Sequence, residues 1–358
     1  MKLLKYLLGF LLFLLLLITV LLIWPKGSWE EQLQRNNVPA LAYGIFENGQ
    51  LQEVKVIGDL TPGHPAPDDA IFNVASVTKP VFALAVMKLV AKGQLELDEP
   101  LHPYWVDPDL ADDHRHKNLT PRLLLSHQSG FPNWRWHTAD GKLAFQFDPG
   151  TGYQYAGEGY EYLRLAIQAK LGLSWEQLAD SLIFRPLEMK DSRLVWDSLM
   201  SEERFAQWHN AEGEKYELFK RDQAVASDDL MTTVQDYAQF LEHIIEGADL
   251  PPALFEDMTT GQVQVSSRIN FGLGWEVVHG LPDDEYALVH GGSDMGVRAR
   301  AVVMPKSGRG FIAFTNGDQG QQLIDRIMVE EFEPGKALIR RMYAPVLWRI
   351  IQLPFNPF

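Results

Sequence analysis

Apolar and polar positions follow three different rhythms along this chain. Residues 6 to 24 (YLLGFLLFLLLLITVLLIW) are 19 uncharged, mostly apolar positions. Residues 40 to 58 instead read as two strand-like runs, ALAYGIFE and QLQEVKVIG, around Asn48-Gly49. Asn-Gly between two such runs predicts a two-residue hairpin. From about 76 to 245 the apolar spacing becomes helical and is broken by Pro and Gly, giving helices near 76–92, 158–171, 174–184 and 233–246. Strand-like runs return at 271–279, 286–290, 297–304 and 310–315, with turn residues between them, and a helix-like segment follows at 320–332. Strands at both ends with helices between them predict an α+β fold. One antiparallel sheet would be completed late in the chain, and a helical subdomain, about 80–230, would be inserted in it. A cleft between the two parts is the expected functional site.

The first run is long enough to cross a bilayer. Lys2 and Lys5 precede it, and it ends in Trp24-Pro25-Lys26 rather than in the small residues of a cleavage site. Residues 1–25 therefore read as an uncleaved signal anchor, a single transmembrane helix, with 26–35 as linker and 36–332 as the body. The lysines on the short side place that end in the cytoplasm and the body outside the inner (cytoplasmic) membrane, in the periplasm.

About 330 residues remain beyond the anchor, enough for one large core. Hydrophobic residues at 46% and aromatics at 11% exclude disorder as the default, since such a chain can offset its conformational entropy by burial. A formal charge of −15 argues against nucleic acid as a partner, because phosphate binding needs a basic face. The chain has no cysteine, which removes disulfides, thiolate metal sites and thiol nucleophiles. No G-x-S-x-G elbow, H-E-x-x-H, Walker A or dinucleotide fingerprint occurs. No cofactor or metal is expected.

Candidate chemistry gathers at Asn73-Val74-Ala75-Ser76-Val77-Thr78-Lys79-Pro80. Pro80 confines the helix start to the residues just before it, so Ser76 stands at or near an N-terminus. Residues three apart on a helix are neighbours, which sets Lys79 beside the Ser76 hydroxyl. Burial and the positive end of the helix disfavour an ammonium there, and a neutral lysine can accept a serine proton. Free backbone N–H groups at the same end can hold an oxyanion. Ser-x-x-Lys alone also fits an ordinary exposed helix start, so its surroundings decide.

Those surroundings form an ordered series. FNVASVTKPVFAL, LTPRLLLSHQSGFP (119–132), DPGTGYQYAGEGYEYL (148–163), FRPLEMKDSRLV (184–195), MTTVQDYAQFLEHI (231–244), FGLGW (271–275) and VHGGSDMGVRA (289–299) follow one another. Together they resemble the segments of the serine β-lactamase and penicillin-binding protein superfamily, in its class C β-lactamase-related branch, over roughly residues 35–320. The resemblance implies the β-lactamase/transpeptidase-like fold and a serine hydrolase, esterase-like, with an acyl-enzyme on Ser76. It implies Tyr155 as a second catalytic group, exchanging protons with nucleophile and leaving group beside Lys79. His290-Gly291-Gly292 would be the third motif, on an edge strand, and the backbone N–H groups of Ser76 and Ser293 would form the oxyanion hole.

Two departures bear on substrate. Gly157 stands where penicillin-cleaving members carry Asn, and His290 stands where they carry Lys, a weaker and pH-dependent anchor for a carboxylate. Both lower the expectation of β-lactamase or carboxypeptidase activity and leave an ester or amide of a small-molecule or peptide-like substrate. The rival reading is a protein of the same fold that binds a penicillin or cell-wall fragment without turnover. Asp112-Asp113-His114-Arg115-His116 reads as a solvated loop rather than a metal site, and His127 as a structural hydrogen-bonding residue. The tail 333–358 carries Lys336, Arg340, Arg341 and Arg349 among apolar residues, a pattern that suits a membrane-surface helix, divided or kinked at Pro345, or docking on its own domain.

Overall fold

The computed structural model describes residues 27–61 and 63–352, with side chains as far as Tyr343. The apolar run at 6–24 lies outside these residues. Among the described residues no helix is long and apolar enough to cross a membrane.

In chain order the elements are α1 (Trp29–Arg35), β1 (Ala40–Glu47), β2 (Gln50–Thr61), β3 (His64–Pro65) and β4 (Phe72–Asn73), then α2 (Thr78–Ala91), α3 (Pro121–Leu125), α4 (Gly157–Leu171) and α5 (Trp175–Ala179). After these come β5 (Met231–Thr232), α6 (Val234–Ile245), α7 (Pro252–Thr259), β6 (Val263–Gln264), β7 (Ile269–Phe271), β8 (Glu276–Val278), β9 (Ala287–Asp294), β10 (Val297–Met304) and β11 (Arg309–Thr315). Helices α8 (Gly320–Glu331) and α9 (Gly335–Gln352) close the chain.

Nine strands form one sheet in the order β3-β2-β1-β11-β10-β9-β8-β7-β6, antiparallel at each pairing. The first hairpin turns at Asn48 and Gly49, both at positive φ (53° and 79°), which a right-twisted two-residue turn needs. β1 then waits for β11, pairing Leu41 with Thr315 and Gly44 with Ile312. The helical segments lie between these two strands in sequence.

Side chains two apart share a face of a strand, and this divides the core in two. Ala42, Phe46, Ile312 and Phe314 pack towards α2, α4 and α6 in one cluster. Leu41, Tyr43, Phe311 and Ala313 pack towards α8 and the start of α9 in the other. In the first cluster Phe82 of α2 meets Trp175 of α5 edge-on at 4.9 Å and Tyr160 of α4 at 5.9 Å. Burying such a ring contributes about 2–3 kcal/mol, so α2 is anchored one turn past the residues of interest.

The structure corrects three sequence expectations. The run 271–279 is not one strand. β7 and β8 are separate, joined by a turn through Gly272-Leu273-Gly274-Trp275 in which the Gly272 N–H donates to the Trp275 carbonyl (2.7 Å). Gly274 is at φ +91°, and a Cβ there would lie 2.4 Å from the Ala83 Cβ, so the strand pattern is interrupted where it passes α2. The helix expected over 174–184 is α5 followed by one wider turn, Asp180–Phe184. Helix α9 continues past Pro345 to Gln352 rather than dividing there. Its first turns dock on the body: Leu338 is buried in the second cluster, and the Tyr343 hydroxyl donates to Asp325 Oδ2 (2.7 Å).

Candidate active site

Ser76 lies in a single 3₁₀ turn, Ala75–Val77, and α2 begins only at Thr78. The cause is local. Ala75 holds φ +48°, a left-handed conformation that L residues avoid, and it persists because its neighbours pin it. Asn73 Oδ1 accepts from the Ala75 N–H (2.7 Å), and the Thr78 hydroxyl donates to the Ala75 carbonyl (2.6 Å). The Leu230 N–H donates to Thr78 Oγ1 (3.0 Å), and the Tyr237 hydroxyl donates to the Val77 carbonyl (2.9 Å). The turn is thus clamped from β5 and α6, and it leaves Ser76 half-buried while its neighbours are fully buried.

Lys79 is wholly buried, and its Nζ lies 3.0 Å from Ser76 Oγ and 2.7 Å from the Ser227 carbonyl oxygen. That carbonyl is itself placed by Glu161 of α4, whose Oε1 accepts from the N–H groups of Ala226 (2.7 Å) and Ser227 (3.1 Å) and from the Ser227 hydroxyl (3.0 Å). Burial pushes the Lys79 ammonium below its usual range, opposed by the nearby carboxylates of Asp228 and Glu161. Asp228 moves the other way, held up by burial and by its neighbour Asp229.

Tyr155 faces the same point. Lys79 Nζ sits 4.8 Å from the centre of its ring, and burial raises its phenol well above the usual range, with Ser76 beside it acting in the opposite sense. The group is therefore a protonated phenol near neutral pH. Behind it His127, fully buried, lies with its ring centre 4.2 Å from that of Tyr155, the two rings tilted by 38°. Its Nδ1 accepts from the Ala156 N–H (3.1 Å), and burial drives it well below the usual imidazole range. His127 is a neutral wedge that sets the angle of Tyr155.

β9 passes on the other side of Ser76. It is an internal strand, not the edge strand expected: β10 pairs along it as far as Asp294, and β8 pairs with it only as far as Val289. Beyond Val289 one side is open, which creates a local edge at His290, Gly291, Gly292 and Ser293. A Cβ on Gly292 would come within 2.3 Å of the Val74 carbonyl, so the strand can lie against the nucleophile turn only with glycine here. His290 is 2% exposed, its Nδ1 lies 2.9 Å from the Gly291 carbonyl oxygen, and burial brings it down to about 3. Burial favours the neutral imidazole, which weakens it as the pH-dependent carboxylate anchor that the sequence suggested.

Ser76, Tyr155, His290, Gly291, Gly292 and Ser293 line one cavity of about 830 Å³. Gly157 does not line it. A Cβ on Gly157 would meet the Trp134 indole at 2.8 Å, so an aromatic ring fills the place where relatives' Asn would project. Trp134 stacks on Trp136 (4.5 Å, 12° between planes), and both line the cavity. Between them Arg135 reaches inward to Asp107 Oδ2 (2.8 Å) and Glu158 Oε2 (2.8 Å), two carboxylates almost fully buried.

Sequence reasoning missed Trp134, Arg135, Trp136, Glu161, Ser227 and Asp228. The Trp-x-Trp after SGFP was the one visible signal, an aromatic pair in a loop. The Asp112–His116 segment divides. Arg115 pairs with Asp113 Oδ2 (2.6 Å) on the surface, whereas His116 is buried with Nδ1 3.0 Å from the Leu110 carbonyl oxygen.

An antiparallel sheet with an inserted helical part, and a serine and a lysine one turn apart in the cleft between them, define the serine β-lactamase-like class of folds. The family model described as Beta-lactamase matches residues 28–329, and the chain belongs to that family. Among curated proteins it is similar to Esterase EstB of Burkholderia gladioli, 32% identical over 197 residues, which are 47% of this chain and 50% of that protein. It is also similar to Penicillin-binding protein 4* of Bacillus subtilis, 26% identical over 275 residues, 65% of this chain and 58% of that one. The chain spans about half the length of the curated relatives it matches. Solved structures share the fold. A class C β-lactamase superposes with a TM-score of 0.70 at 19% identity, covering 84% of this chain and 93% of that one. A D-stereospecific amidohydrolase from Streptomyces sp. superposes with a TM-score of 0.67 at 20% identity, covering 81% and 93%.

Proposed function

We propose that this chain is a membrane-anchored serine hydrolase that forms an acyl-enzyme on Ser76 and hydrolyses an ester or amide lacking a carboxylate near the scissile bond. One observation carries the reading: Lys79 Nζ is 3.0 Å from Ser76 Oγ in a site whose burial favours the neutral amine. The neutral amine takes the Ser76 proton as Oγ bonds to the substrate carbonyl carbon. The backbone N–H groups of Ser76 and Ser293 hold the resulting oxyanion. The Tyr155 phenol gives its proton to the departing oxygen or nitrogen as that bond to carbon breaks, and it is reprotonated from Lys79. Water then gives a proton to the neutral Lys79 amine as its oxygen bonds to the acyl carbon, and the bond from that carbon to Ser76 Oγ breaks as Oγ takes the proton back, releasing the acid and the free enzyme.

Esterase EstB among the relatives supports the ester branch. The neutral His290, and the indole where an Asn would stand, speak against a substrate held by its carboxylate and acylamino groups. Anchoring by residues 6–24, with the catalytic body in the periplasm and the C-terminal helix against the same bilayer, rests on the sequence pattern.

The test is labelling with a serine-directed fluorophosphonate, followed by turnover of short p-nitrophenyl esters. Ser76→Ala abolishes labelling under this reading, and persistent labelling moves the nucleophile elsewhere. A single stoichiometric burst with no steady state would favour the non-turnover receptor instead. Fluorescence of a fused reporter on either side of the membrane checks the orientation.

A further inference from the structure

The cavity that holds Ser76 is lopsided in charge. Three carboxylates on its wall, Asp228, Asp229 and Asp294, bring one oxygen each to within 4.8 Å of the others. Arg221 pairs with Asp229, and the Lys79 amine lies near Asp228, but among the described residues no ion pair holds the exposed Asp294 carboxylate, although its backbone carbonyl accepts from Arg298. Like charges this close raise one another's proton affinity, and both Asp228 and Asp229 are held above the usual carboxylate range, with burial the larger cause. The other cavity guanidiniums are engaged elsewhere: Arg135 with Asp107 and Glu158, Arg164 with Glu161, and Arg300 with Asp325.

Two further features of the same cavity point to the sign of a ligand. His290 is 2% exposed and held neutral by burial, and among the described residues its Nε2 has no hydrogen-bond partner. His290 and Asp294 are four residues apart on β9, which puts them on one face of the strand. With Nδ1 turned to the Gly291 carbonyl, Nε2 is a buried acceptor awaiting a donor. At the mouth Trp136 is 63% exposed, yet it is held flat by its stack on Trp134 and by the ion pairs of Arg135. An exposed, preorganised indole face lining the same cavity as the carboxylates favours a cation through its negative π-face.

The geometry points to a subsite for an organic ammonium group, carried on the substrate near its scissile carbonyl, made by Asp228, Asp229 and Asp294 with Trp136 as its aromatic wall and His290 as an acceptor. This rests on the hydrolase reading for its place in catalysis, and the binding of the cation does not depend on turnover. An ammonium entering the cluster relieves the crowding of carboxylates, whereas a substrate carboxylate meets repulsion.

The experiment has two arms on the full chain. In the first, kcat/KM is measured at low salt for p-nitrophenyl esters of similar size: a terminal primary ammonium, its neutral methyl isostere and a terminal carboxylate. The expected order is cation, neutral, anion, with the first at least about 10-fold above the second. Asp294→Asn and Trp136→Ala each compress that ratio. Equal rates for cation and neutral, or a ratio that neither variant moves, overturns the proposal. In the second arm, n-propylammonium and propan-1-ol are titrated against the Ser76→Ala protein by tryptophan fluorescence at constant ionic strength. Tighter binding of propylammonium supports the subsite even if no ester is turned over, in which case the hydrolase reading alone fails. Millimolar Mg²⁺ or Ca²⁺ that binds the cluster and excludes propylammonium overturns the ammonium in favour of a metal ion.

Discussion

The floor and the rim of the crevice are built on different principles. At the floor, backbone conformation and close backbone approach do the positioning, pinned by the side chains of Asn73, Thr78 and Glu161. The turn at Ala75 is held at positive φ by hydrogen bonds from Asn73 and Thr78, Lys79 is steered by the Ser227 carbonyl, and Gly292 is pressed on Val74. At the rim, side chains do it. Two indoles stack, and one guanidinium joins two buried carboxylates from other segments. Backbone devices tolerate almost no variation and suit a reaction that is the same for every substrate. A rim made of side chains can change its recognition without disturbing the chemistry below. The comparison therefore assigns catalysis to one and selectivity to the other, and each assignment can be broken.

The sharpest break is at the floor. Ser76→Ala should lower kcat/KM for a p-nitrophenyl ester by at least about 10⁴-fold, the range seen when a nucleophile that works as a unit with its base is removed. Circular dichroism and the melting temperature should stay close to wild type, since the hydroxyl is half-buried and one atom is removed. A loss below about 10-fold would place the chemistry elsewhere. Tyr155→Phe tests the second group. It removes the proton that burial keeps on the phenol, and it should lower kcat by about 10²–10⁴-fold with little change in KM. A rise in KM with kcat unchanged would make Tyr155 a wall of the pocket instead.

How much of this could be read beforehand follows the same division. Ser76 and Lys79 were legible because three residues along one turn fix their neighbourhood, and the Asn48-Gly49 turn was legible because it needs only its own two residues. The antiparallel sheet was legible in outline from strands at both ends of the chain, although which strand would meet β1 was not. The run at 271–279 misled because apolar residues continue through a tight turn, and only the approach of Ala83 explains the break at Gly274. The rim, and the support that Glu161 gives Ser227 beneath the floor, were illegible in principle. Arg135 meets Asp107 and Glu158 from 28 and 23 residues away, and Ser227 meets Glu161 from 66 away, with no period linking them.

Breaking the rim should cost stability before it costs chemistry. Arg135→Ala leaves Asp107 and Glu158, 3% and 4% exposed, without their shared cation. Uncompensated buried carboxylates of this kind cost about 3 kcal/mol, and the guanidinium's partial exposure makes that an upper figure. Urea unfolding should show the loss as a lower midpoint at unchanged slope. Ester turnover by the fraction still folded should fall far less than in the floor variants. Equal losses of activity in Arg135→Ala and Tyr155→Phe would erase the distinction between the two regions.

The smallest expected effect is a shift in pH dependence, and it tests whether the two regions communicate through charge. If neutral Lys79 is the base, kcat/KM rises with pH through the Lys79 titration, giving an acid limb. Burial lowers that titration from the usual lysine value, and the negative charges of Asp228 and Glu161 oppose the lowering because they stabilise the ammonium. Asp228→Asn removes one of them. The ammonium is then less favoured, the amine is free at lower pH, and the acid limb moves down the pH axis with little change in the plateau. Lys79→Arg supplies the control: a guanidinium does not deprotonate in this range, so the limb should vanish with the activity. An acid limb that stays in place in Asp228→Asn would mean that another group sets it. A limb that moves upward would mean that the Asp228 carboxylate itself acts in the reaction rather than on Lys79 from the side.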